Sequence, residues 1–325
     1  MPKRNMALAA AVIGVLALPV PAALAETATT PNAETQTAGD VSMSNAAKPA
    51  TLKVPGATLY HEVRGSGPTL LIIPGGPQDA GVFAELSQLL ADRYTVVAYD
   101  PRGNSRSSFD GEAMPLLMDQ QADDAAALIE AVGNGPAYVF GTSGGAQIGL
   151  NLAARHPKQV RALVAHEPPS MMLMDDPSDA VAADKALYDT YVRDGVDAAM
   201  GMFFSMNGLD GGGDASEAAE APPEFEMSPE EAETFTRVSG NFEYWLKHGM
   251  MPLSLYVPDV ATLKAGAPRI VVAIGEASAG QPIEQMSLAL AGKLGIAPTT
   301  YPGDHMGFGP QAAAFAEALD ASLAN

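Results

Sequence analysis

The chain has 325 residues, with 38 acidic against 18 basic side chains and a formal charge of −20. Polyanions bind basic patches and none is visible, so nucleic acid and anionic membrane surfaces are excluded as partners. There is no cysteine, which removes disulfides, cysteine nucleophiles and thiolate metal sites, and five histidines leave little for a multi-histidine metal centre.

Residues 1–25 read as an export signal. Lys3 and Arg4 give a positive start, residues 6–18 form an apolar run, and Pro19 and Pro21 break it. Ala23-Leu24-Ala25 then supplies a small-residue cleavage site before Glu26. The run is shorter than the ~20 residues of a membrane span. The mature protein is therefore expected to be exported, periplasmic or secreted, with no stable membrane insertion after cleavage. Residues 26–50 are mostly Thr, Ala, Asn, Ser and Pro. They cannot bury enough apolar surface to offset ordering entropy, and a disordered leader is expected.

From residue 51 onward a globular composition takes over. Residues 51–54 and 59–63 alternate and predict an antiparallel hairpin. Short apolar blocks follow at 70–73, 94–99, 137–140, 161–165 and 269–274, each closed by Gly, Pro or Asp, as buried parallel strands are. Helical patterns lie between them at 83–90, 119–132, 146–155 and 282–294. This alternation predicts an α/β fold with a mostly parallel sheet covered on both faces. It stops between 169 and 264, where helices are predicted at 180–193, 196–206 and 229–248 with no strand. Ser228-Pro229-Glu230-Glu231 starts the last of these with a capping-box spacing, and Gly249 is expected to end it. Gly211-Gly212-Gly213 and the acidic residues up to Glu226 are expected to form a flexible loop. The domain plan is thus two core parts, 51–168 and 265–325, interrupted by a helical insertion over 169–264.

Directly after the block at 137–140 stands Gly141-Thr142-Ser143-Gly144-Gly145, followed by a helix. G-x-S-x-G in a strand–turn–helix context projects the serine hydroxyl above the sheet edge. The Gly144 N–H then points at a developing oxyanion. Such a serine needs a base. His61 falls in the hairpin, His156 ends a helix, His248 sits in the insertion, and His166 follows a strand and can act only through a neighbour. His305, in Pro302-Gly303-Asp304-His305-Met306-Gly307, lies on a late strand-end loop and is the candidate base.

With these motifs the chain resembles the α/β-hydrolase fold family over residues 52–323. The resemblance implies a cap inserted after the sixth strand, no cofactor, and a small-molecule substrate. The family order of nucleophile, acid and histidine is met by Ser143, an acid and His305. Pro74-Gly75-Gly76-Pro77 matches the family's H-G-x-P loop, so the Gly76 N–H is implied as the second oxyanion donor, with Pro74 in place of the histidine. Asp100-Pro101-Arg102-Gly103-Asn104-Ser105 matches a loop that is structural in the family. The acid usually follows the seventh strand, where this chain has Gly275-Glu276-Ala277-Ser278. Glu276 is therefore expected to orient His305, with Glu167 of His166-Glu167-Pro168-Pro169, after the sixth strand, as the alternative; Asp304 reads as a loop residue. Nine of the 16 methionines lie between Met171 and Met251, with Phe203, Phe204, Phe242 and Trp245, and suit an apolar pocket under a cap.

The activity these features imply is that of a serine hydrolase of the carboxylesterase type. An aminopeptidase of the proline-iminopeptidase type is suggested by Gly75-Gly76-Pro77 and weakened by Gln78, and a cofactor-free perhydrolase uses the same residues. A non-catalytic ligand-binding protein on the same fold is the remaining alternative. Serine rather than aspartate at position 143 argues against dehalogenase or epoxide-hydrolase chemistry.

Overall fold

The computed structural model describes residues 45–133, 135–207, 227–266 and 268–324. The expected signal, most of the leader and the glycine-rich acidic loop lie outside them. Among the described residues nine strands are formed: β1 (Lys48–Val54), β2 (Ala57–Arg64), β3 (Thr69–Ile73), β4 (Thr95–Tyr99), β5 (Ser108–Phe109), β6 (Ala137–Thr142), β7 (Val160–His166), β8 (Arg269–Gly275) and β9 (Thr299–Tyr301). They make one sheet in the order β1-β2-β4-β3-β6-β7-β8-β9, with β5 paired to β2. Every pair from β4 to β9 is parallel, and β2 joins antiparallel to β1, β4 and β5. The apolar blocks are buried on both faces, most completely at β3, where Leu70 to Ile73 are all 0% exposed.

Two expectations about the first part of the chain change. The leader does not reach Ala50, because β1 begins at Lys48 and pairs Lys48, Pro49 and Ala50 with Val63, Glu62 and His61. These residues are exposed, so backbone pairing and not side-chain burial holds them, and an edge strand tolerates Pro49. The two-residue β5 has too little sequence to announce itself. Counting it, the helical insertion follows the seventh strand in chain order.

Helices α1 (Ala84–Leu90) and α10 (Ala312–Ala324) pack together on one face of the sheet, while α2 (Met118–Val132) and α3 (Gly144–Arg155) pair on the other. Between β7 and β8 the described chain is helical: α4 (Ser178–Asp194), α5 (Val196–Met206) and α6 (Pro229–Gly240), then α7 over 242–254 and α8 (Val260–Lys264). The capping box at Ser228 is formed, with Ser228 N donating to Glu231 Oε2 at 2.7 Å and Glu231 N to Ser228 Oγ at 3.2 Å. The helix expected over 229–248 is interrupted instead of ending at Gly249. Asn241 donates to Pro77 O and to Ser105 Oγ, both at 2.8 Å, and accepts from Ser105 N at 2.7 Å. That clamp ties the cap to the core between α6 and α7. A π-helical turn, Trp245–Gly249, follows within α7, and π turns re-aim side chains without breaking a helix. After β8, α9 (Pro282–Leu294) packs back on that strand. Among the described residues no helix is long and apolar enough to cross a membrane.

Strand order decides where chemistry can gather. β3 lies between β4 and β6, so the chain leaves it in one direction and returns on the other side, the kind of switch point where α/β sheets open a crevice. Ile73 pairs with Gly141 and Thr142 with His166. The loops after β3, β6 and β7 therefore emerge side by side.

Candidate active site

Ser143 occupies the turn between β6 and α3 with φ 52° and ψ −126°, a left-handed conformation that is strained for a non-glycine residue. Its N–H donates to His166 O at 2.9 Å, and its carbonyl accepts from Ala146 N at 2.9 Å, which hold the turn. The small flanking residues are obligatory. A Cβ on Gly141 would stand 2.5 Å from Gly145 O, and one on Gly145 would stand 2.2 Å from Ile73 O. The side chain is half-buried and lines a cavity of about 420 Å³ together with Gly76, Gly144 and His305. Its hydroxyl has no hydrogen-bond partner among the described residues. Catalytic contacts of this kind commonly tighten only around substrate.

The loop after β3 lies against this turn: a Cβ on Gly75 would come 2.8 Å from Ser143 Cβ. Its conformation is braced by Gln78, whose N–H donates to Gly75 O at 3.0 Å while its Oε1 accepts from Gly75 N at 3.1 Å. Asn104 Nδ2 donates to Gly76 O at 3.1 Å and to Gln78 O at 3.0 Å. The N–H groups of Gly76 and Gly144 have no acceptor among the described residues, and the latter opens helix α3, whose N-terminal dipole favours negative charge. The loop at Asp100 is structural. Asp100 is fully buried and accepts from Ala80 N at 3.0 Å and from Arg106 Nε and Nη2 at 2.8 Å each.

His305 pairs with Glu167, not with Glu276. Its Nδ1 lies 2.7 Å from Glu167 Oε2, and the other carboxylate oxygen accepts from Gly275 N at 2.8 Å. A carboxylate facing Nδ1 keeps the proton there and leaves Nε2 as the free base. Glu276 is exposed at the start of the turn Glu276–Ser278 and does not line the cavity. The reason lies in the strand order. β7 stands between β6 and β8, so Glu167, which directly follows β7, is one strand nearer Ser143 than anything after β8. The histidine loop also sits directly on Gly275, where a Cβ would meet Gly303 O at 2.5 Å, so the end of β8 offers a backbone N–H instead of a side chain. Asp304 is a turn residue that accepts from Met306 N at 2.8 Å.

The electrostatics of the pair follow from burial. Removal from water pushes the Glu167 carboxyl up, but the hydrogen bond from His305 outweighs it and holds the group down at about 2. Glu167 also carries φ 44° and precedes Pro168, a second strained position. His166, wholly buried, donates or accepts at Thr142 Oγ1 over 3.0 Å and stacks on the His305 ring with centroids 6.3 Å apart. Burial holds its imidazole down at about 4, so it is neutral beside the pair.

The cap supplies the cavity's apolar walls, among them Met171, Met174, Met200, Phe203, Trp245 and Met250. Phe242 does not reach it. Trp245 heads the π turn, and its indole nitrogen would lie 3.4 Å from a Cβ on Gly76. Leu253 covers Gly144, 2.8 Å from a Cβ placed there. Composition signalled the methionines and aromatics, but nothing in the sequence marked Asn104, Gln78 and Leu253 as the residues that shape the oxyanion loop and its roof.

The mostly parallel sheet that carries this site agrees with what the comparisons show. A family profile described as the alpha/beta hydrolase fold matches residues 68–219. The uncharacterized hydrolase YraK of Bacillus subtilis (strain 168) is 32% identical over 274 residues, covering 83% of this chain and 93% of YraK. The chain belongs to the α/β-hydrolase fold family. A second relative of this α/β-hydrolase, 2-(acetamidomethylene)succinate hydrolase of Mesorhizobium japonicum, is 37% identical over 108 residues, 33% of this chain and 38% of that protein. Among solved structures, an esterase from Thermogutta terrifontis superposes with a TM-score of 0.63 at 18% identity, covering 85% of this chain and 98% of that one. An α/β-hydrolase from Sphaerobacter thermophilus superposes with a TM-score of 0.59 at 24% identity over 83% and 99% of the two chains. At these identities the structural likeness carries the fold alone. The α/β-hydrolase is thus a hydrolase by family and by its full-length relative.

Proposed function

We propose that this α/β-hydrolase is an exported serine hydrolase of the carboxylesterase type, acting on a small-molecule ester through an acyl-enzyme on Ser143. The observation that carries this reading is the 2.7 Å His305–Glu167 pair opening on the same cavity as the strained Ser143 turn. Ser143 Oγ attacks the ester carbonyl while His305 Nε2 takes its proton. The N–H groups of Gly76 and Gly144 receive the oxyanion. As the tetrahedral adduct collapses, the C–O bond to the alcohol breaks and His305 returns the proton to the departing oxygen. Water then attacks the acyl-enzyme, giving a proton to His305; Ser143 leaves as the hydroxyl and the carboxylic acid is released. Glu167 holds the imidazole in the productive tautomer and stabilises the imidazolium throughout.

A fluorophosphonate probe tests the nucleophile, because it modifies only an activated serine. Labelling of the wild type that disappears in Ser143→Ala supports the reading, and absence of labelling in the wild type overturns it in favour of a binding protein on this fold. Export is tested separately by sequencing the N-terminus of the secreted protein, which should begin at Glu26.

A further inference from the structure

Asp184 lies on α4 and lines the cavity with Ala180, Ala183 and Leu187, which share its helix face. Its position is tied to the wall above the nucleophile. Leu253 rests on the backbone at Gly144, Ser254 follows it, and α4 packs against this part of α7. The Ser254 hydroxyl stands beside the Asp184 carboxyl.

What surrounds this half-buried carboxyl is unusual for an acid in a cavity wall. Among the described residues that line the cavity there is no lysine or arginine. The titratable groups there are Asp184, His305 and Asp179, and Asp179 is exposed. Asp184 forms no ion pair among the described residues, and the adjacent Lys185 is engaged by Asp189 at 2.6 Å. Burial pushes the Asp184 carboxyl up from its ordinary value, and the Ser254 hydroxyl only partly offsets that. A withdrawn carboxylate without a counter-charge costs free energy, and a cation arriving beside it relieves the cost. The described part of the insertion has the same sign: residues 169–207 and 227–264 hold twelve acidic side chains and five basic ones. Such a field concentrates cations at the mouth of a cleft and repels anions. Phe203 and Trp245, with ring centroids 4.9 Å apart, add aromatic surface that attracts a cation further.

We propose that Asp184 is the recognition carboxylate of this cavity, and that the substrate carries a protonated amine on the part that lies under the cap. The apolar walls then receive the carbon chain between the amine and the scissile ester. The proposal rests on the serine-hydrolase reading of Ser143.

The test is a competition in one tube between matched esters of 6-aminohexanoic and heptanoic acid, which differ by an ammonium in place of a terminal methyl. A second pair places the amine on the alcohol side, and a monoester of adipic acid supplies the anion. Because the competitors meet the same enzyme, the ratio of their kcat/KM values does not depend on how much of a variant folds. In at least one pair the ammonium ester should be consumed about tenfold faster than its neutral partner, and the anion slowest. Asp184→Asn should bring the ratio to near one, and Asp184→Glu should retain most of the preference. A wild-type ratio near one in both pairs, or a preference that survives Asp184→Asn, overturns the proposal while leaving the hydrolase reading intact. No turnover of any ester, together with no fluorophosphonate labelling, overturns the hydrolase reading and the proposal with it.

Discussion

Glu167 on the sheet edge is fully buried and Asp184 in the cap is half-buried, and their carboxyls are shifted in opposite directions. Glu167 has its counter-group inside the chain: His305 and the Gly275 N–H occupy both of its oxygens. Among the described residues, Asp184 has a serine hydroxyl and an open cavity beside it and no ion pair. The difference reflects how each region is built. The sheet edge is set by backbone pairing between neighbouring strands, which fixes its groups closely. The cap is set by methionines, phenylalanines and one indole, whose side chains adapt to what they meet. Substitutions at the sheet edge should therefore act on kcat, and those in the cap on selectivity and KM.

The largest effect is expected at the nucleophile and the base. Ser143→Ala and His305→Ala should each lower kcat by at least ~10³-fold, and the double variant should be little worse, because such residues act as a unit. Multiplying losses in single-turnover assays would break that assignment. Next comes the acid. Glu167→Gln should keep the fold but favour the wrong imidazole tautomer, a change that costs ~10⁴ in kcat in an analogous triad. Glu276→Gln, at an exposed position, should leave kcat near the wild-type value, so measuring both on one ester decides between them.

Acid sensitivity sharpens the contrast further. His166 is held neutral with its pKa lowered to about 4, so the unfolded chain takes up its proton first and stability falls as pH drops through 6.5 towards 4. Glu167, lowered to about 2, adds stability above its unfolded value that is lost as pH falls further. Urea midpoints should therefore decline between pH 7 and pH 5, and His166→Gln should flatten that part of the profile. The smallest effect belongs to the roof. Leu253→Ala opens space above Gly144 and should shift preference towards bulkier esters by about tenfold or less in kcat/KM, visible in a series of p-nitrophenyl acyl chains.

Several parts of this molecule were legible in the residues alone. The Gly141–Gly145 turn is a local necessity, since its glycines and its serine act within five residues of one another. The alternation of buried blocks and helical patterns specified a parallel sheet, because strands covered on both faces must be apolar throughout. The capping box at Ser228 was equally local and formed as read. His305 could be singled out because it alone among the five histidines stands in a loop after the last strand. The partner of His305 could not be settled in this way, since Glu276 and Glu167 both follow buried strands. Only the lateral order of β6, β7 and β8 places Glu167 nearer the nucleophile, and side-by-side order is a property of the assembled sheet. The start of β1 was likewise decided by its pairing with β2, which needs no apolar side chains. The π turn that brings Trp245 to Gly76, the Asn241 clamp and the isolation of Asp184 depend on how the cap settles on the core. Periodicity along the chain reports which face of an element is buried, but contacts between elements far apart in sequence are set by tertiary packing, and there His305 acquired its carboxylate partner and the cavity its shape.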